Sequence, residues 1–195
     1  MQRLGKLLLI AMLSVGVVNA SEKIFDLSKQ EFATKSSGEI LRFKISDEVM
    51  VKTNLQKDYT TDSYIAPEGT TGVFNLEFAK PLQKWIMIIE YDANGDNGII
   101  FKDNEMNTIS FKVREKLYFQ EFSMKYVNPW NSGIAKNILK FVGKGNIVKL
   151  YLNNKLITKQ FSEEFSGLSV IDIDSQKGSK ANETDYLYNL IIKKN

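Results

Sequence analysis

From residue 39 onwards the chain alternates apolar and polar side chains. Phe74, Leu76 and Phe78 interleave with Val73, Asn75 and Glu77, and Ile109, Phe111 and Val113 interleave with Thr108, Ser110 and Lys112. Successive side chains of a strand point to opposite faces, so each run predicts a strand with one face on a core. The same period predicts strands at 39–46, 118–126, 146–153, 168–174 and 186–192. Residues 84–91 are apolar on both faces until Glu90, which predicts a central strand covered on both sides.

Turn chemistry separates these runs. Residues 92–98 are rich in Asp, Asn and Gly, and Gly143-Lys144-Gly145 divides two further strands. Asn153-Asn154 joins 148–152 to 156–158, a hairpin signal because Asn tolerates the positive φ of a type I′ turn. Ser28 and Glu31 have the spacing of a capping box, predicting one short helix. The irregular stretch 54–71 reads as a long surface loop. Many short strands with almost no helix predict an all-β fold, a two-sheet antiparallel jelly-roll sandwich, with a closed barrel as the alternative. No internal repeat or linker divides the chain, so residues 21–195 are expected to form a single domain.

The first twenty residues change the picture of location and charge. Arg3 and Lys6 precede an uncharged apolar run, Leu7 to Val18, and Val18-Asn19-Ala20 has small or branched residues at the cleavage positions. This is the pattern of a secretory signal peptide over 1–20; twelve apolar residues are too few to span a bilayer, although an uncleaved anchor is the other reading. No second stretch is long enough to cross a membrane, so the expected location is periplasmic or secreted. Removing two basic residues and no acidic one takes the formal charge from +3 to +1. The remaining lysines are scattered along the chain and arginine is scarce, which argues against a nucleic-acid partner.

Absent residue types narrow the chemistry. With no cysteine there is no disulfide, thiol nucleophile or thiolate zinc site; with no histidine there is no Ser-His-Asp triad or His-ligated metal. Carboxylates, lysine, tyrosine, hydroxyls and oxygen-ligated calcium remain.

The run Val148-Lys-Leu-Tyr-Leu-Asn-Asn154, after a strand ending in a glycine turn, resembles a recurrent hairpin of concanavalin A-like (laminin G/glucanase-type) jelly-roll domains. Asn154 stands where that family usually has glycine. The resemblance continues through Phe165-Ser-Gly-Leu-Ser-Val170 and a closing strand from Asp185 to Ile192, covering roughly 134–192. It implies the fold and says little about activity.

Members of that family that hydrolyse β-glucans carry a strand motif E-x-D-x-x-E or E-x-D-x-E. Here Glu90-Tyr91-Asp92 supplies the first half, while Asn94 and Gly95 occupy the positions of the second Glu. A retaining hydrolase needs two carboxyls about 5–5.5 Å apart. Glu77, on the preceding strand, would lie opposite residue 86 if 79–84 were a hairpin. The incomplete set favours a non-catalytic module, with a hydrolase using Glu90 and Asp92 as the alternative. Asp92, Asn94 and Asp96 space three oxygen ligands as calcium loops do, without the glycine and terminal Glu of an EF-hand. A structural calcium there is the only cofactor the sequence suggests; a turn-rich loop explains the same residues.

Aromatic residues supply the binding candidates. Trp85 lies in an apolar strand and is expected in the core. Trp130 lies in Asn128-Pro-Trp-Asn-Ser-Gly133, between strands, where an exposed ring beside amides suits a sugar. Trp130, Asn128, Asn131 and Tyr126 are therefore the carbohydrate-binding candidates, and a Trp130 folded back into the sandwich is the competing reading. Tyr59 and Tyr64 are weaker candidates of the same kind. Asn182-Glu-Thr184 is a formal glycosylation sequon. The expected partner is a glycan or, failing that, an envelope protein.

Overall fold

The computed structural model describes residues 21–32, 37–92, 97–113, 117–119, 137–177 and 184–195. Residues 1–20, the expected signal peptide, lie outside them. In chain order the strands are β1 (Glu22–Asp26), β2 (Leu41–Lys44), β3 (Val49–Thr53), β4 (Gln56–Asp58), β5 (Ser63–Ile65), β6 (Thr71–Leu82) and β7 (Lys84–Asp92). They continue as β8 (Asn97–Lys102), β9 (Thr108–Val113), β10 (Leu117–Phe119), β11 (Asn137–Lys144), β12 (Ile147–Leu152), β13 (Lys155–Phe161), β14 (Leu168–Gln176) and β15 (Tyr186–Lys194).

Two antiparallel sheets result. The first runs β13-β12-β11-β7-β15-β5-β4, with β1 also on β15; the second runs β10-β9-β8-β14-β6-β3-β2. Inward-facing side chains of both sheets meet in one core. Trp85 packs at a tilt against Phe101 of the other sheet at 4.9 Å, and Phe141 of the first sheet packs edge-on against Phe101 and Phe111 of the second, at 5.0 Å each. A second aromatic group, Phe25, Phe32, Phe43, Tyr64 and Phe74, fills the core beneath β1 and β5. The all-β, two-sheet expectation holds, and Trp85 is fully buried as expected.

The Asn153-Asn154 hairpin also holds. Both residues take positive φ, 47° and 69°, between the paired Leu152 and Lys155. Other expectations are corrected. Gly143 is not in a turn: β11 continues through Lys144, and Gly145, at φ 55°, begins the two-residue turn to β12. Gly143 is required because a Cβ there would overlap the Trp85 indole. β6 and β7, separated only by Gln83, do not form a hairpin: they belong to opposite sheets. Gln83 fixes this crossover, donating from Nε2 to Ser166 O at 2.9 Å and accepting from Gly145 N at 2.8 Å.

β7 is central, yet only Trp85, Met87, Ile89 and Tyr91 face the core, while Ile86, Ile88 and Glu90 on the outer face are half-buried. The 54–71 stretch is not simply a surface loop. It contributes β4 and β5 to the first sheet, and Leu55, Tyr64 and Ala66 to the core. The helix is a single 3-10 turn, Leu27–Lys29, capped by Asp26 rather than Ser28. Asp26 Oδ1 accepts from Ser28 N at 3.2 Å and Ser28 Oγ at 2.6 Å, so the capping box does not form.

Candidate functional site

Two short segments build a cleft of about 480 Å³ on the edge of the first sheet. One wall is the 3-10 turn and the residues after it, Ser28, Gln30, Glu31 and Phe32; the other is the β4–β5 hairpin with Lys57, Tyr59 and Asp62. Tyr64 and Tyr188 complete it.

Each wall is held by a short-range polar device. In the hairpin, Asp58 accepts from Thr60 N at 2.9 Å and from Thr61 Oγ1 at 2.7 Å, an Asx-turn that folds the chain back on itself. The Thr61 hydrogen bond is the largest influence holding the Asp58 carboxyl below its ordinary value, against an opposing effect of burial. Asp62 takes the positive φ, 52°, that ends the turn. The result is a fixed loop that presents Tyr59 with 89% of its surface exposed. Opposite, Lys23 Nζ donates to Asp26 at 2.7 Å and holds its carboxyl low, together with Ser28. Phe32 anchors the wall in the aromatic core.

The two walls are tied together across the cleft. Tyr64 OH donates to the Gln30 carbonyl at 2.9 Å. Burial pushes the ionisation of Tyr64 upward, and the neighbouring Tyr59, Glu31 and Asp62 add to it, so the ring stays neutral. Lys57 Nζ pairs with Asp62 at 2.5 Å and lies 5.1 Å from the Tyr64 ring centre. Tyr188 is also raised, by burial first and then by Asp92, Tyr186 and Asp58. The cleft therefore combines an exposed aromatic face with hydroxyl, amide and carboxylate groups on rigid supports. That combination fits a polar ligand with a flat apolar face.

The structure treats the sequence candidates unequally. Trp130, Asn128, Asn131 and Tyr126 lie outside the described residues, as do Asn94, Asp96 and most of the sequon. Tyr59 is exposed in the cleft; Tyr64 is buried and serves as a strut. Asp92 is buried at the end of β7, near Asp185 and Asp174, around a Tyr91 whose hydroxyl donates to Asp174 O at 3.0 Å. Burial drives the Tyr91 ionisation well up, and these three aspartates add to it. Among the described residues no three acidic side chains are arranged to hold a metal ion, and of the calcium candidates only Asp92 is among them.

Glu77 is not a carboxylate partner for Glu90. Glu77 lies on the outer face of the second sheet, paired with Lys52, while Glu90 lies on the outer face of the first, between Ile138 and Asn189. Packed sheets alone are about 10 Å apart, twice the spacing a retaining pair requires.

No protein-family model matches the chain, and no curated protein matches it in sequence. Solved structures do match in shape. The exoplasmic/lumenal domain of VIP36, in a form bound to Ca²⁺ and Man3GlcNAc, aligns with a TM-score of 0.50 at 7% identity, over 82% of this chain and 91% of that one. The carbohydrate recognition domain of Emp47p aligns at 0.46 and 10% identity, over 85% and 99% of the two chains. The galectin LEC-6 of Caenorhabditis elegans aligns at 0.40 and 14%, over 60% and 88%. The fold is a concanavalin A-like jelly-roll sandwich.

Proposed function

We propose that the chain is an exported, non-catalytic carbohydrate-binding module whose ligand rests on Tyr59. The observation that carries this reading is the cleft itself: an 89%-exposed tyrosine on an Asx-braced hairpin, facing Gln30, Glu31 and Asp62. Pyranose C–H groups pack on such a ring while the flanking groups take hydroxyl hydrogen bonds. The VIP36 domain of the same fold is bound to Man3GlcNAc, which supports a glycan as the ligand class. Trp130, with Asn128, Asn131 and Tyr126, is a second platform of the same chemistry. Calcium held by Asp92, Asn94 and Asp96 would supply charge and rigidity to the 92–98 segment. Export rests on the charged, apolar and small-residue pattern of 1–20, and places the protein in the periplasm or outside the cell.

Glycan-array binding of wild type, Tyr59→Ala and Trp130→Ala, each with calcium and with chelator, tests this. Loss of binding in Tyr59→Ala assigns the cleft; loss only in Trp130→Ala moves the site; chelator sensitivity implicates the 92–96 segment. A folded protein that binds no glycan rejects the proposal.

A specific feature favours a protein partner as the second reading. β13 is an edge strand among the described residues, with Leu156 53% and Phe161 58% exposed. Stoichiometric capture of an envelope protein, lost on Phe161→Ser, would support it.

A further inference from the structure

We propose that the outer face of the first sheet docks on an anionic lipid surface. The lysines that look scattered in sequence are gathered there by the strand period. Lys149 stands directly opposite Lys159, Lys84 opposite Lys144, and Lys193 opposite Lys23. Lys140 completes the set, across from Tyr151, with its ammonium 5.6 Å from that ring. Lys84, Lys140, Lys144, Lys149 and Lys193 alternate with the core positions of their strands, and Lys23 and Lys159 share their outward side through their pairing with Lys193 and Lys149.

Their charge is largely uncompensated. Lys23 pairs with Asp26, and none of the other six forms an ion pair with a described residue. On β7, β11, β12 and β13, Glu90 is the one carboxylate on this side among the described residues that is not buried; Asp92, at the end of β7, is 2% exposed. Like charges directly opposite one another weaken a strand pair, so three such pairs on one face are a cost that an external anion relieves. The other sheet is arranged differently: its outward Lys52 pairs with Glu77, and Lys102 with Asp172 at 2.5 Å.

What the lysines surround decides the partner. Ile86, Ile88, Val142 and Ile191 occupy the middle of the face, and Ile138 is 39% exposed beside them. From β13 to β1 the face spans six strands, or about 24 Å at the usual strand spacing. Lysine around aliphatic side chains suits lipid headgroups above a hydrocarbon boundary, where the long stems lie along the apolar surface and the ammonium groups reach phosphate. A polyanion such as nucleic acid or a sulfated glycan is read by arginine forks and stacked aromatics. None of the described residues on this face is arginine.

The test is co-sedimentation of the full chain with phosphatidylcholine vesicles, with and without phosphatidylglycerol. Two triple variants carry equal charge: Lys84→Gln/Lys149→Gln/Lys159→Gln on the face, and Lys44→Gln/Lys80→Gln/Lys177→Gln on strands of the other sheet or beside them. Each face lysine contributes about fivefold to partitioning on an anionic surface, so the first triple should lose on the order of 100-fold. The second should retain binding within about threefold, as its lysines lie off the contact. The melting temperature of the face triple should match or exceed wild type, because two like-charge pairs are removed and none is created, which separates lost binding from lost folding. Equal losses in the two triples overturn the proposal. So does binding that is the same with and without phosphatidylglycerol, which would come from the apolar 1–20 segment. Capture by soluble polyanion with no vesicle binding also overturns it, in favour of a polymeric partner.

Discussion

Replacing Asp103 by asparagine leaves the shape of the side chain and changes only its charge and one acceptor. The carboxylate is 1% exposed and sits just after β8. Its Oδ1 accepts from Glu105 N and Asn107 N, both at 2.9 Å; its Oδ2 accepts from Asn107 Nδ2 at 3.1 Å, Ser166 N at 3.1 Å and Ser166 Oγ at 3.2 Å. One group thus folds the 103–107 turn and pins it to the segment leading into β14. Whichever way the new amide turns, its NH₂ faces at least two N–H donors that then have no acceptor. Hydrogen bonds to a charged group are worth about 1.5–3 kcal/mol each, so two lost bonds, eased by water entry, give about 3 kcal/mol. For a domain of this size that lowers the melting temperature by about 6–12 °C. Thermal unfolding of Asp103→Asn, followed by near-UV circular dichroism at neutral pH, reads the change. A drop under about 2 °C would show that Asp103 does not hold the two segments together.

Gly143→Ala should cost about 3 kcal/mol, since the added methyl meets the buried Trp85 ring, measured by urea unfolding; an unchanged midpoint would mean the ring moves freely. Asn154→Gly should stabilise by about 0.5 kcal/mol, because Asn154 holds φ 69° in the hairpin and glycine adopts it without strain; a fall in stability would contradict the turn assignment. Acid should weaken the fold in a defined window. Asp26 is held low first by the Lys23 hydrogen bond and Asp58 first by that of Thr61; in Asp103 burial pushes upward, and hydrogen bonds from Asn107, Ser166 and Glu105 together outweigh it. Their folded values lie below the ordinary 3.8, so this stability is complete above that pH and is lost as pH falls through the folded values. Asp174, raised by burial and by Asp172, acts in the opposite sense, one group against three. Melting temperatures taken from pH 6 downwards should therefore hold until about pH 4 and then fall; a steady decline from pH 6 would count against these three carboxylates as the cause.

The sequence was most legible where one physical rule dominates. Strict alternation located β6, β9, β12, β14 and β15, because a strand with one buried face has no other way to be written. The paired asparagines located a hairpin because few residues accept positive φ twice in succession. It was least legible where tertiary context decides. β4 and β5 are three residues each, too short to show a period, and Tyr64 enters the core through its contacts with Phe32 and Gln30 rather than through local pattern. The connection 79–84 reads as a hairpin until β6 is seen to run on to Leu82, with β3 and β14 claiming it on both sides. Gly143 carries a turn residue's signature for a packing reason, the Trp85 ring across the ladder. Of the cleft, Tyr59 and Tyr64 were candidates from sequence, and Tyr59 is the one whose ring is exposed. Its partners come from Gln30, Glu31 and Tyr188, which are remote in the chain, and only the pairing of β1 and β5 beside one another along β15 brings them together. The lysine face has the same origin: even spacing in sequence becomes clustering once every second position faces one way.

Whether Tyr59 and the cleft beside it receive a glycan is decided by one comparison. It is the dissociation constant of Tyr59→Ala against wild type for the best glycan found on the array, by titration calorimetry, with melting temperatures recorded alongside. The expected loss is on the order of tenfold or more, about 1.5–2 kcal/mol, with no change in melting temperature, because an exposed ring contributes little to the fold. Wild-type affinity in Tyr59→Ala would contradict this and move the site away from the cleft.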